Sequence, residues 1–166
     1  ATAIVSVHLS ADMSGTVQAA QLAAQQSPVP VVVVDSRSLG MAMGYAVLSA
    51  ATCAAEGGSV DDVAAVARSR AEAAYVAFYV DTLEHLRRGG RIGAASAMLG
   101  SALAIKPILT LTDGSIQPLE RVRTSSRALA RLADLAVAAA GTATTRPAST
   151  RPKPPRSSRP TSTPQP

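Results

Sequence analysis

The sequence predicts an α/β fold: half of a parallel α/β sheet, followed by a second α+β portion that contains a β-hairpin. Three observations predict it. Short valine-rich runs alternate with longer alanine-rich helical patterns through the first half, the signature of strands joined by crossover helices. Asp113-Gly114 lies between two strand-like runs in the second half and is a strong hairpin signal. Aromatic residues make up only 2% of the chain, with no Trp, so the core has to be built from Ala, Val, Leu, Ile and Met.

Taken in order, Ala3–Leu9 is apolar and β-branched and reads as a buried parallel strand. Ser10–Met13 is polar and turn-like, and Ser14-Gly15-Thr16 opens a helix to about Gln26, with Val17, Ala20, Leu22 and Ala24 on its buried side. Pro28 and Pro30 end that helix, and Val31–Val34 is a second strand. Asp35-Ser36-Arg37-Ser38 leads into a long apolar helix over Gly40–Ala55, stopped by Gly57-Gly58. Ser59 with Asp62 three residues on is close to a capping box for a helix to about Ala73. Tyr75–Val80 is the third strand and carries three of the four aromatic residues. Strand, helix, strand, two helices, strand is the order of a parallel sheet, whose ligands collect beyond the carboxyl ends of its strands. Ser10–Thr16 and Asp35–Ser38 both follow strand ends and so can face one crevice.

Beyond that point the pattern changes, and residues 1–74 and 75–141 are assigned to two α/β portions. Asp81–Arg88 is a short amphipathic turn of helix ended by Gly89-Gly90, a pair that lets the backbone reverse tightly. Arg91–Ala104 reads as helix. Ile105–Thr112 reads as a strand whose Pro107 suggests an edge or an irregular start, and Ser115–Val122 as its hairpin partner. Thr124 caps a last helix through about Ala140, ended by Gly141. The segment 142–166 holds seven of the eleven prolines, has no apolar periodicity, and is expected to be disordered.

Charge is unevenly placed. Of sixteen basic residues, five (Arg146, Arg151, Lys153, Arg156 and Arg159) stand in that tail, and the remaining eleven balance the eleven acids. Cys53, the one cysteine, lies in an apolar run and reads as a small core residue. No stretch of about 18 apolar residues suggests a membrane span. Ala1-Thr2-Ala3-Ile4 has neither an initiator Met nor a basic leader and is expected to lie inside a longer protein. His8 and His85 lack Cys or His partners at metal spacing, and the carboxylates show no acid–base pair, so neither a metal site nor a catalytic group is expected. Sparse aromatics argue against single-stranded nucleic-acid binding.

Two loops carry the candidate chemistry. Ser10-Ala11-Asp12-Met13-Ser14-Gly15-Thr16 can cradle a carboxylate or phosphate through Ser10, Ser14, Thr16 and backbone N–H groups, or it can be a plain N-terminal cap with Ser14 closing the helix. It is neither a Walker loop nor a dinucleotide fingerprint. Asp35 can hold a ribose or cap the helix at Gly40, and the cap is the better reading. Arg91 stands at a helix entrance. Arg121, Arg123 and Arg127 cluster where the hairpin enters the last helix, and with Arg87, Arg88 and Arg91 they can form a basic patch for an acidic partner or a phosphate.

These motifs together resemble the DegV family of bacterial fatty-acid-binding proteins. Ser10–Ala20 (SADMSGTVQAA) looks like the family's Ser-Ser-x-Leu-Ser-Gly-Thr-Tyr-Gln-Ser-Ala, and Val34–Tyr45 (VDSRSLGMAMGY) is similar to its Val-Asp-Ser and Met-Gly-x-Gly elements. Asp81–Ile92 (DTLEHLRRGGRI) resembles Thr-Leu-x-x-Leu-x-x-Gly-Gly-Arg-Ile. Ile105–Leu109, Asp113-Gly114 and Val122-Arg123-Thr124 resemble the Ile-Lys-Pro-Ile-Leu, Asp-Gly and Val-Arg-Thr elements. Ala11, Val17 and His85 depart from residues frequent in the family, and the family's opening strand and late histidine segment have no counterpart. The chain looks like the middle of a family member.

The resemblance implies a non-catalytic, cytoplasmic carrier with no cofactor, which binds a long-chain fatty acid between two α/β domains and presents its carboxylate to a fatty acid kinase. It places the carboxylate at Ser10, Ser14, Gly15 and Thr16, and assigns Arg91, Arg121 and Arg123 to kinase or phosphate contacts. Two alternatives stand beside it: a small-molecule enzyme using the Ser10–Thr16 loop as an anion cradle, and a binder of nucleic acid or an acidic partner driven by the basic tail.

Overall fold

The computed structural model describes residues 1–99 and 105–144. Two small sheets organise them. In the first, β1 (Ile4–His8) and β2 (Val31–Asp35) run parallel, with Ile4 opposite Val31 and His8 opposite Asp35. Helix α1 (Thr16–Ala24) makes the crossover between them. Helices α2 (Gly40–Ala55) and α3 (Val60–Glu72) pack on each other and on the strands. The core there is small-residue packing: Val34, Ala50, Val63, Ala64 and Ala67 are buried, with Val5, Val7, Val32 and Cys53 against them. Alanine lets α2 and α3 approach closely, which suits a core without large aromatics.

Ser59 and Asp62 make the full capping box at the start of α3, each satisfying the other's backbone N–H. The expected inward face of α1 is narrower than its apolar pattern: Val17 is buried but Leu22 is 64% exposed. A pattern shows which residues share a helix face, not how much of that face finds a neighbour.

The third strand does not extend the parallel sheet. β3 (Ala77–Tyr79) pairs antiparallel with β4 (Lys106–Thr112), which pairs antiparallel with β5 (Ser115–Val122), in the order β3-β4-β5. β4 is therefore central rather than an edge. Pro107 is tolerated because the β3 register begins only at Ile108, opposite Tyr79, so the irregular start is the part of the reading that holds. The hairpin is tight: Asp113 and Gly114 both have positive φ, 50° and 83°, as a two-residue turn matched to strand twist requires.

Between β3 and β4 lie α4 (Glu84–Arg88) and a 3₁₀ helix (Gly93–Met98). The expected longer helix over Arg91–Ala104 is this 3₁₀ segment where it is described, and residues 100–104 fall outside the described residues. α4 ends in two reverse-turn bonds, Arg91 N–H to Leu86 O and Gly90 N–H to Arg87 O, with Gly90 at φ 71°. Leu83, Ala95, Met98, Leu109 and Ile116 form the second core, joined by Met13 from the loop after β1. Helix α5 (Ser125–Thr144) packs on all three strands and is started by Thr124, whose hydroxyl accepts the Arg127 N–H at 3.3 Å. Gly141 does not end it: the helix runs through to Thr144. The rest of the proposed tail, residues 145–166, lies outside the described residues.

Candidate functional site

The site grows from the carboxyl ends of β1 and β2. Parallel neighbours deliver two loops to the same side, and backbone bonds tie them: Ser10 N–H to Ser38 O at 2.9 Å, and Ser36 N–H to His8 O at 3.0 Å. The two loops therefore lie against each other beyond the strand ends. Asp35 neither caps α2 nor stands free. Its carboxylate accepts the Arg37 N–H at 2.8 Å and the Ala11 N–H at 3.3 Å, joining the two loops. That turn places Arg37 at φ 47°, a conformation rare for a side-chain-bearing residue. The α2 start carries no side-chain cap; its N-cap is Leu39.

The four predicted anion contacts behave differently. Ser10 is 1% exposed and donates its hydroxyl to Gly114 O at 2.7 Å, across 104 residues of sequence. Ser14 is half-buried and its oxygen accepts the Thr16 N–H at 3.3 Å, which leaves its hydroxyl proton available. Gly15 is the N-cap of α1, so Ser14 sits one residue outside the cap position. Gly15 and Thr16 are exposed. Among the described residues, no acceptor takes the N–H of Val17 or Gln18 in the first turn of α1.

The three predicted arginines differ in what they touch. Arg91 donates Nε–H to Met13 O at 2.9 Å and also bonds Gly89 O, pinning the first loop to the second portion. Arg121 donates to Ala97 O at 3.3 Å. Arg123 is exposed and makes no hydrogen bond or ion pair among the described residues. Arg87 and Arg88 both engage Glu84, whose carboxyl they hold below the usual range.

Two features have no signal in the sequence. Ser38 is buried and its hydroxyl has no partner, the sole such buried side-chain atom among the described residues. The hairpin turn packs on the two loops: Ser115 donates to Asp12 at 3.2 Å, and Arg37 donates to Asp113 O. Contacts that join residues about a hundred positions apart leave no local signature. From Leu39 onward, next in sequence to the second loop, an open groove of about 490 Å³ is lined by Met41, Tyr45, Arg70, Tyr75, Val76 and Phe78. Among the described residues no cluster of His, Cys, Asp or Glu can hold a metal, and no helix is long and apolar enough to cross a membrane.

A family model described as an uncharacterised protein of the DegV family matches residues 1–148. The chain belongs to the DegV family. A DegV domain-containing protein of Streptomyces coelicolor is 55% identical over 141 residues, 85% of this chain and 50% of that protein. A DegV family protein from Thermus thermophilus, whose structure is described as fatty-acid binding, matches with a TM-score of 0.77 at 39% identity, covering 84% of this chain and 50% of its own. DegV of Bacillus subtilis, described as a fatty acid binding protein, matches with a TM-score of 0.74 at 34% identity, covering 84% and 50%. The DegV chain described here spans about half the length of these relatives.

Proposed function

We propose that this DegV chain is part of a non-catalytic fatty-acid carrier in the cytoplasm, which holds a long-chain fatty acid and presents its carboxylate to a partner kinase. The observation that carries the reading is the serine loop at the carboxyl ends of two parallel strands, in a chain whose structural neighbours are described as fatty-acid binding. The carboxylate is assigned to Ser10, Ser14, Gly15 and Thr16. The Ser14 hydroxyl and the unpaired first-turn N–H groups of α1 are the donors in this reading, and the N-terminal end of a helix favours negative charge. The groove beside Leu39 offers apolar walls for the acyl chain, within the size range of small-molecule sites. Arg123, which has no described partner, and Arg91 and Arg121, which donate to carbonyls, are assigned to the kinase or to the acyl phosphate. No cofactor enters this scheme.

The test is a lipid extract of the purified full-length protein, read by mass spectrometry, with palmitate titrations of Ser10→Ala/Ser14→Ala. A co-purifying fatty acid is expected, and the double variant should lose about ten- to hundredfold in affinity, the usual effect of losing hydrogen bonds to a charged group. Undiminished affinity refutes the site. For the arginines, Arg123→Ala should impair kinase-dependent phosphorylation and spare palmitate binding. Equal loss of both overturns that role.

A further inference from the structure

The hairpin turn of the second sheet fills donors of the two loops with its own acceptors. Gly114 O receives the buried Ser10 hydroxyl at 2.7 Å. One residue earlier, Asp113 O receives the Arg37 guanidinium, and the Asp113 carboxylate lies 3.9 Å from the same group. The two bonds are made by the carbonyls of successive residues, one to a hydroxyl and one to a guanidinium. A fatty-acid carboxylate offers the same pattern: two oxygens, both acceptors, with negative charge.

We infer that the Asp113-Gly114 turn is a built-in surrogate for the ligand carboxylate: it occupies the Ser10 hydroxyl and the Arg37 guanidinium, and ligand entry lifts it to expose both. This rests on the fatty-acid reading above and adds Arg37 to the carboxylate contacts. Closed and liganded states exclude one another at Ser10, since a hydroxyl has one proton to donate. The closed mouth is also hostile to an anion. Asp12 accepts from Ser115, and the Asp113 carboxylate lies 3.9 Å from Arg37, so two carboxylates already stand near the groups a third would seek. Arg37 is held ready by its own backbone, because the Asp35 turn that fixes φ at 47° fixes where its side chain leaves the loop.

The experiment locks the turn in place. In a background with Cys53 and any further cysteine of the full-length protein replaced by Ala, Asp12→Cys and Ser115→Cys replace a side-chain pair in contact at 3.2 Å and leave Ser10 and Arg37 untouched. Palmitate binding is measured by calorimetry on the full-length protein, oxidised and reduced, with cross-linking followed by intact mass. The expected result is a cross-link that lowers affinity at least tenfold and is reversed by reductant. Equal binding in both states overturns the inference while leaving the carrier reading intact. Failure to cross-link overturns it too, since the turn then does not rest on the loop. No palmitate binding by the reduced or the unmodified protein defeats the carrier reading itself. Arg37→Gln is the second arm: it should weaken palmitate about tenfold or more and leave hexadecanol, which has no carboxylate, unchanged. Unchanged palmitate affinity, or equal loss for acid and alcohol, removes Arg37 from the site.

Discussion

Replacing Gly114 by alanine should weaken the whole molecule, and the structure sets the size of the effect. Gly114 has φ 83°, and a side-chain-bearing residue in left-handed backbone costs about 1–2 kcal/mol. An added Cβ would stand 2.6 Å from Ser10 Oγ and 3.1 Å from Asp12 Oδ2, so the turn must withdraw and the Ser10 hydrogen bond is lost. A net hydrogen bond contributes about 0.5–1.5 kcal/mol, which brings the expected loss to about 2–3 kcal/mol. For a chain of this size that is a fall in Tm of about 5–10 °C. Thermal melts followed by circular dichroism measure it. Asp113→Asn is the control, because asparagine tolerates left-handed backbone and keeps the Asp113 carbonyl. A Gly114→Ala protein melting within about 1 °C of the parent would show that the turn needs neither its positive φ nor its seat on Ser10.

Leu109, fully buried in the second core, should cost about 2–5 kcal/mol when cut to Ala, read by urea unfolding. Ser59→Ala breaks the capping box of α3 and should cost about 1 kcal/mol, with Ser59→Asp largely restoring it. The Asp81 carboxyl is held below the ordinary carboxylate range by hydrogen bonds from Lys106 and Tyr79, and Glu120 by its bond from Arg131. Both contributions are complete above the ordinary carboxylate range and are lost as pH falls through the lowered values. Melts taken at descending pH should therefore show Glu120→Gln with a shallower acid decline than the parent; parallel curves would mean the pair adds nothing.

Much of the first portion was legible because its signals are local. Valine runs, proline stops and the Ser59–Asp62 spacing each describe a few neighbouring residues, and β1, β2, α2 and α3 follow them closely. The hairpin was legible for the same reason, Asp113-Gly114 being its own signal. Partnership was not legible. The run ending at Val80 is equally apolar whether its strand neighbours are parallel or antiparallel, so the pairing of Phe78 with Leu109 could not be read from it. Leu22 has the right spacing for burial but lacks a covering element. At the site, the residue types were readable and their occupancy was not: Ser10, Arg37 and Arg91 all have partners supplied by carbonyls far away in sequence.

The bond between Ser10 and Gly114 also has a consequence for synthesis. At about 5–20 residues per second, the ribosome delivers Gly114 about 5–20 s after Ser10. Within that interval β1, β2 and the helices α2 and α3 packed on them are synthesised, while the end of the first loop lacks the partner that later buries it. The Ser10 loop of the nascent chain is thus open to chaperones and proteases after the strands and helices around it have been made, until the hairpin turn arrives and closes over Ser10.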